Sequence, residues 1–111
     1  MTLGEFLSQT EVSQAWIEHD EFSELYMRQG PFIHNANRVD DSIQIGNAVA
    51  KDPGTGAFTR LLTWLRESYP DRLLYIESVQ SERLANFLRK SGFQPAALPD
   101  CYYFSNRVDW K

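Results

Sequence analysis

The chain has 111 residues, of which 42% are hydrophobic and 23% charged, and its formal net charge is −4. A chain of this size holds one domain, residues 1–111, with enough apolar content for a core that needs neither metal nor disulfide. Charge is polarised: residues 1–27 carry six acids and no Lys or Arg, while the remainder carries nine acids and eleven bases. This balance argues against general nucleic-acid binding, which wants a basic surface. The acidic end (Glu18, Asp20, Glu21) fits a basic partner surface, or is simply a solvated helix end. Cys101 is the only cysteine and cannot form an intramolecular disulfide, and His19 and His34 stand alone, so no metal site is expected. The N-terminus has neither a basic start nor a continuous apolar run, and no stretch approaches the roughly 18 apolar residues of a membrane span. A cytoplasmic protein without membrane contact is the expectation.

Thr10 is placed to cap a helix over 11–19, with Val12, Ala15, Trp16 and His19 along its apolar side. A shorter helical turn over Leu3–Leu7 precedes it, so 1–20 reads as a helical N-terminal region. Residues 22–50 read as an antiparallel β-hairpin: two β-favouring runs joined by the turn-forming Asn35-Ala36-Asn37-Arg38. Gly30-Pro31 interrupts the first arm, which predicts a bulge or an edge position, because proline cannot donate to a ladder. Pro53 and Gly54 end the second arm. Phe58, Leu61, Leu62 and Leu65 then recur at helical spacing up to Tyr69-Pro70, giving a helix within 54–69. Leu73 to Ile76 and Val79 form a short apolar strand of the kind buried on both faces, hence central. Ser81 caps a further helix with Leu84, Phe87 and Leu88 inward, and Gly92 stands where a left-handed terminating residue is wanted. After a Pro95–Pro99 connection, Cys101-Tyr102-Tyr103-Phe104 is the last strand of 72–105. The order α, β-hairpin, α, β, α, β places the chain in the α+β or α/β class, with a compact, mixed, mostly antiparallel sheet flanked by helices.

The chemistry-bearing segment is Lys51-Asp-Pro-Gly54-Thr-Gly56-Ala-Phe-Thr-Arg60, between a strand and a helix. A glycine pair there brings the backbone close to a ligand and aims the free N–H groups of the first helical turn at one point, which fits a phosphate; the alternative is a tight turn and nothing more. A Walker loop and a dinucleotide fingerprint are both excluded by spacing, the latter because Thr59 stands where the third glycine belongs.

Lys51-Asp52-Pro53-Gly54-Thr55-Gly56 resembles the pyrophosphate signature of the Gcn5-related N-acetyltransferase (GNAT) superfamily, Arg/Gln-x-x-Gly-x-Gly/Ala, with lysine for the usual Arg or Gln. Tyr75 to Phe93, closing in Gly92-Phe93 after a helix, resembles that superfamily's second block. Gly-Thr-Gly-Ala-Phe-Thr-Arg, Glu-Ser-Val and Arg-Leu-Ala-x-Phe-Leu-x-x-x-Gly-Phe together also look like short acetyltransferase-like proteins of bacteriophages, which implies a phage source and the host cytoplasm. The resemblance covers residues 22 to 105 and implies a shortened N-terminus. Leu88 occupies the position of the Tyr that in the superfamily protonates the departing thiolate.

The resemblance implies an acetyl-CoA-dependent N-acyltransferase acting on an amine of a protein or small molecule. Acetyl-CoA or CoA would be bound by the backbone of Gly54, Thr55, Gly56 and Ala57, with Lys51 and Arg60 as counter-charges, and its pantetheine arm would lie along the strand residues Ala48, Val49 and Ala50. Asn47 is a candidate ligand of the acyl carbonyl, or a buried amide satisfied by backbone. Glu77, a carboxylate in an apolar strand, is the first candidate for the base, against a salt bridge to a nearby Arg. His34 is a second candidate base. Tyr103 and Tyr102 are candidates to replace the missing acid, or half-buried sheet residues. Cys101 reads as a buried small residue, and Trp16, Trp64 and Trp110 as packing or interface residues. The other reading is a non-catalytic phage protein on the same scaffold that binds and modulates a host protein. A homodimer through a shared sheet edge is compatible with both.

Overall fold

The computed structural model describes residues 1–106. The chain runs α1 (Leu3–Ser8), β1 (Gln14–Trp16), β2 (Phe22–His34), β3 (Asn37–Ala50), α2 (Ala57–Ser68), β4 (Leu74–Ile76), α3 (Glu82–Lys90), β5 (Gln94–Pro95) and β6 (Tyr102–Phe104). The six strands form one sheet in the order β1-β2-β3-β4-β6-β5. All neighbours are antiparallel except β3 and β4, so the expected mixed, mostly antiparallel α+β sheet is what forms. Trp110 lies outside the described residues.

The hairpin β2–β3 is the frame. Its loop is Asn35-Ala36, both at positive φ (47° and 66°), the twist that a two-residue connection needs to match the strands. β4, buried at all three residues, sits centrally as its apolar run requires. Ser81 accepts a hydrogen bond from the Leu84 N–H and starts α3, and Gly92, at φ 92°, ends it.

One expected element does not form. Residues 11–19 are not helical: 14–16 is an edge strand paired with β2, and the N-terminal helix is α1, opened by a capping box between Thr2 and Glu5 rather than by Thr10. The reason is long-range. Gln29 on β2 is buried, and its amide nitrogen lies 2.8, 3.0 and 2.9 Å from the carbonyls of Phe6, Gln9 and Val12, while its oxygen accepts from Arg72 at 3.1 Å. These bonds fix the segment after α1 in an extended path along the sheet, which outweighs the weak helical periodicity of Val12, Ala15, Trp16 and His19.

The three helices of the described residues share one face of the sheet. Leu3, Phe6 and Leu7 of α1, Leu61, Leu62 and Leu65 of α2, and Ala85 and Leu88 of α3 pack with Leu25, Met27, Ile43, Ile45, Leu74 and Ile76. The second face carries a smaller cluster of Val39, Leu73, Tyr75, Cys101 and Tyr103. It is covered by the distal half of the hairpin itself. The β2–β3 register shifts at Gly30-Pro31, the expected bulge, and the arm beyond it lays Phe32 4.6 Å from Tyr75 and His34 4.6 Å from Tyr103, between ring centroids.

Two predictions follow from this packing. Gln29→Leu keeps the volume but removes the amide's bonds to three carbonyls and to Arg72, so a urea titration should show a loss of about 2 kcal/mol, with amide-exchange protection falling first before residue 13. Tyr75 is pushed up to about 12, by burial first and by its hydrogen bond with Cys101 second. Its proton is held more tightly folded than unfolded, so the stability it contributes is intact below pH of about 10 and is lost as pH rises toward 12. Ultraviolet titration should show a late-ionising phenol that Tyr75→Phe removes; the same late phase in that variant would contradict the assignment.

Candidate functional site

The site begins where β3 stops being paired on both sides. β3 pairs with β2 along its length, but with β4 only through Ile43–Leu74, Gln44–Tyr75 and Ile45–Ile76, closed by a 3.0 Å bond from the Glu77 N–H to the Ile45 carbonyl. At that point the β2–β3 register slips: Met27 faces Ile45 and Tyr26 faces Asn47, leaving Gly46 as an extra residue. Such a bulge bends a strand and raises its twist, so residues 46–50 follow β2 and part from β4. A Cβ on Gly46 would lie 2.9 Å from the Tyr26 ring and 3.2 Å from the Arg28 guanidinium, which is why glycine stands there. The sheet is thus open between β3 and the chain leaving β4.

On the helix-bearing face this opening leads into a cleft of about 390 Å3 lined by the end of β3, the 52–56 turn, the start of α2 and one side of α3. Val49, Ala50, Phe58, Leu84 and Phe87 form its apolar part. Leu84 and Phe87, expected in the core, are half-buried at this wall, while Ala85 and Leu88 take the core positions of α3. The polar end is the glycine turn. Gly54 and Gly56 hold φ of 86° and 87°, the left-handed region that favours glycine, and α2 starts at Gly56 with no side-chain cap and no acid in its first turn. The first helical bond is Arg60 N–H to the Gly56 carbonyl, 3.0 Å, so the N–H groups of Ala57, Phe58 and Thr59 precede it and take no helical partner. A cluster of backbone donors at the positive end of a helix dipole, with no side chain capping it, fits a phosphate.

The sequence-predicted residues are not all brought to one place. Gly54, Gly56, Ala57, Val49 and Ala50 line the cleft, and Thr55 closes the turn, its hydroxyl donating to the Asp52 carbonyl at 2.7 Å. Asn47 and Ala48 lie on the parted stretch of β3, Asn47 in the bulge opposite Tyr26 and Ala48 against the core. Arg60 reaches the turn, 2.8 Å from the Thr55 carbonyl, but is also paired with Glu21, its Nε 2.8 Å from the carboxylate. That pairing holds the Glu21 carboxyl below its usual range and raises Arg60 above its own. Lys51 instead faces a broader hollow of about 830 Å3 with Glu18, Asp20 and Trp64, and is not among the residues lining the cleft.

Glu77 lies at the opening on the second face, in an ion pair with Arg28, whose Nε donates to Gln44 at 3.1 Å. Tyr103 is on that same face but buried in the aromatic cluster with Phe32 and His34, so neither it nor His34 lines the cleft. Tyr102 faces the helices, and its hydroxyl accepts from Arg89 at 2.8 Å. Leu88 is fully buried in the core, so no side chain from that position reaches the cleft. Cys101 is buried, as expected, and Trp16 and Trp64 are exposed.

One residue of the site was not singled out from sequence, and a second was singled out for a different role, as part of an acidic face for a partner. Arg83, in the first turn of α3, lines the cleft with its guanidinium 3.7 Å from where a Cβ of Gly54 would stand, and forms no ion pair among the described residues. Glu21 carries the loop's anchor: besides binding Arg60, its carbonyl accepts the Lys51 N–H at 2.9 Å. The cap-plus-two position of Arg83 after Ser81 was the one sequence signal available for it.

No family model and no curated protein matches the sequence. Among solved structures, the chain is similar to a point mutant of the AtaT toxin bound to the C-terminus of the antitoxin AtaR and acetyl-CoA, with a TM-score of 0.46 and 17% sequence identity over 73% of this chain and 56% of that one. The chain therefore spans little more than half the length of that toxin. No helix among the described residues is long and apolar enough to cross a membrane, and no group of three potential metal ligands occurs among them.

The crowding at Gly46 gives a test with a built-in control. Gly46→Ala forces the Tyr26 ring aside and should cost about 1–3 kcal/mol in chemical denaturation. Gly4→Ala, in α1 with open space around it, should gain about 0.5–1 kcal/mol instead. Equal effects at the two positions would remove the steric account of the bulge.

Proposed function

We propose that residues 1–111 form a single GNAT-like domain that binds acetyl-CoA and transfers its acetyl group to an amine. The observation that carries this is the conjunction of two features the fold did not need: the parting of β3 from β4 at Ile45, and the uncapped, glycine-permitted start of α2 opening on the same cleft. Either alone is a common irregularity. Together they make a groove with phosphate donors at one end, an apolar channel beside a free strand edge, and a gap through the sheet at the other end.

The residues fit the group. A Cβ on Gly56 would lie 3.2 Å from Arg60, so any side chain there fills the cradle, and the donors present are backbone N–H groups plus the Arg83 guanidinium, the chemistry a pyrophosphate requires. Asp52, which also lines the cleft, sets a limit on how much negative charge the turn tolerates. When bound, acetyl-CoA supplies an acetyl group activated as a thioester. Backbone N–H groups on the free edge of Asn47–Ala50 would donate to its carbonyl oxygen. Glu77, on the far side of the gap, is the carboxylate that would accept a proton from the incoming ammonium and leave the nitrogen neutral for attack on the thioester. The acceptor reaches the gap from the second face, where Glu77 and Arg28 lie. With Leu88 buried, the thiolate takes its proton from water.

The same burial of Leu88 favours a second reading, a non-catalytic protein on this scaffold that engages a partner protein. In that reading the exposed acids Glu18 and Asp20 are the contact residues for a basic surface. Glu21, bound to Arg60, is withdrawn from that surface.

Calorimetric titration with acetyl-CoA and with CoA separates the two. Dissociation constants in the micromolar range, about −8 kcal/mol, are expected for both, with loss of at least a hundredfold in Gly56→Glu, whose carboxylate would occupy the phosphate cradle. Absence of binding to the wild-type chain removes the acyltransferase reading and leaves the partner-binding one.

A further inference from the structure

The acceptor side of the opening carries a constellation that the transfer chemistry does not by itself require. Across the second face, from the sheet edge inward, stand Trp16 on β1, Tyr26 and Arg28 on β2, Gly46 on β3 and Glu77 just past β4. Trp16 is 59% exposed, and its ring lies 5.1 Å from that of Tyr26, whose hydroxyl is held by Gln14 at 2.6 Å. An exposed tryptophan on a three-residue edge strand buries little and stabilises little there. The Arg28–Glu77 pair is partly withdrawn from water, at 33% and 27% exposed, and one Glu77 oxygen is buried with no hydrogen-bond partner besides the guanidinium it faces.

We propose that this row is the acceptor subsite, and that it takes a free α-amino acid with an aromatic or long apolar side chain. The inference rests on the acyltransferase reading of the opening. Charge balance selects such an acceptor. An amine bearing only a positive charge must share the Glu77 carboxylate with Arg28 or displace it, and displacement leaves a partly buried guanidinium without a counter-charge, which is costly. An acceptor with an ammonium and a carboxylate on the same carbon exchanges pair for pair: its ammonium meets Glu77 and its carboxylate takes the planar fork of Arg28. The side chain then lies outward on the Trp16–Tyr26 pair, the only part of the row with apolar surface to offer. Gly46 leaves the floor between the charges and the parted strand free of a side chain, so the nitrogen bound at Glu77 stands beside the gap.

The test is calorimetry on the full chain saturated with CoA, using phenylalanine, phenylalaninamide and N-acetylphenylalanine as probes. Phenylalanine should bind at least tenfold more tightly than either derivative. Arg28→Ala should abolish the preference for phenylalanine over its amide, Arg28→Lys should restore part of it, and Trp16→Ala should weaken phenylalanine severalfold without changing CoA affinity. Circular dichroism of each variant establishes that it is folded. If the amide binds as tightly as phenylalanine, or if no probe binds to the CoA-saturated wild type, the proposal is overturned while the acyltransferase reading survives. If CoA itself fails to bind but phenylalanine still binds with the stated preference, the subsite stands and the transfer chemistry falls.

Discussion

A strand in the middle of a sheet has no backbone groups to offer a ligand, because both of its edges are consumed by neighbours. β3 escapes this by one residue. Gly46 is inserted opposite the Tyr26–Met27 step, the strand bends with β2, and β4 is left behind after Ile76. Everything that makes a site here depends on that slip. It frees an edge over Asn47–Ala50, it aims the strand's end at the glycine turn, and it opens the sheet so that groups on its two faces can meet. The cost falls on Tyr26 and Arg28, which must pack over a residue without a Cβ.

The short chain solves a second problem with the same hairpin. A sheet with helices on one face alone leaves the other face wet unless something covers it. Here β2 and β3 are 13 and 14 residues long, more than twice an average strand, and the bulge at Gly30-Pro31 lets their distal halves lay Phe32 and His34 over Tyr75 and Tyr103. The cover reaches only the β4–β6 side. The β1–β3 side of that face stays open, and it is there that Trp16, Tyr26 and Arg28 are found. A chain with a further helical layer on this face would hide them, so the economy of the fold and the accessibility of the opening have one cause.

What was legible in the sequence was whatever short-range chemistry decides. The turn at Asn35-Ala36, the Ser81 cap, the Gly92 terminus and the two glycines before α2 each follow from local rules, and each stands where those rules place it. The segment 11–19 failed because its helical spacing is weak and its fate is set by Gln29, ten or more residues away along the chain and buried against the carbonyls of Phe6, Gln9 and Val12. The bulge at Gly46 left almost no mark: a single inserted residue changes neither composition nor apolar content, and only a glycine within a strand hinted at it. Glu77 showed itself as a carboxylate in an apolar run, yet its partner Arg28 lies 49 positions earlier and is brought to it by strand order alone. Arg83 was invisible, and Glu21 was read only as part of an acidic face, for a related reason, since the direction of a surface charge on a helix or loop is decided by what the tertiary fold sets opposite it.

The electrostatics of the glycine turn bear on how such a site works. Arg60, the basic residue nearest in sequence, is committed to Glu21 and to the Thr55 carbonyl, so its charge is already neutralised and its role is to fix the turn. The burden of holding an anion then falls on uncharged backbone donors and on Arg83, with Asp52 opposing them. Backbone donors are rigid and directional but supply less long-range attraction than free cations, so such a cleft selects by fit more than by charge. The absence of an acid at Leu88 points the same way. A thiol has a pKa near 8.5, so a thiolate leaves tolerably without a proton donor, and the lost acid catalysis is a smaller deficit than it would be for an alkoxide or an amine. On the acyltransferase reading proposed above, what would remain to drive the reaction is placement: a nitrogen stripped of its proton beside Glu77 and a carbonyl set against the free edge of β3, brought together at the gap in the sheet.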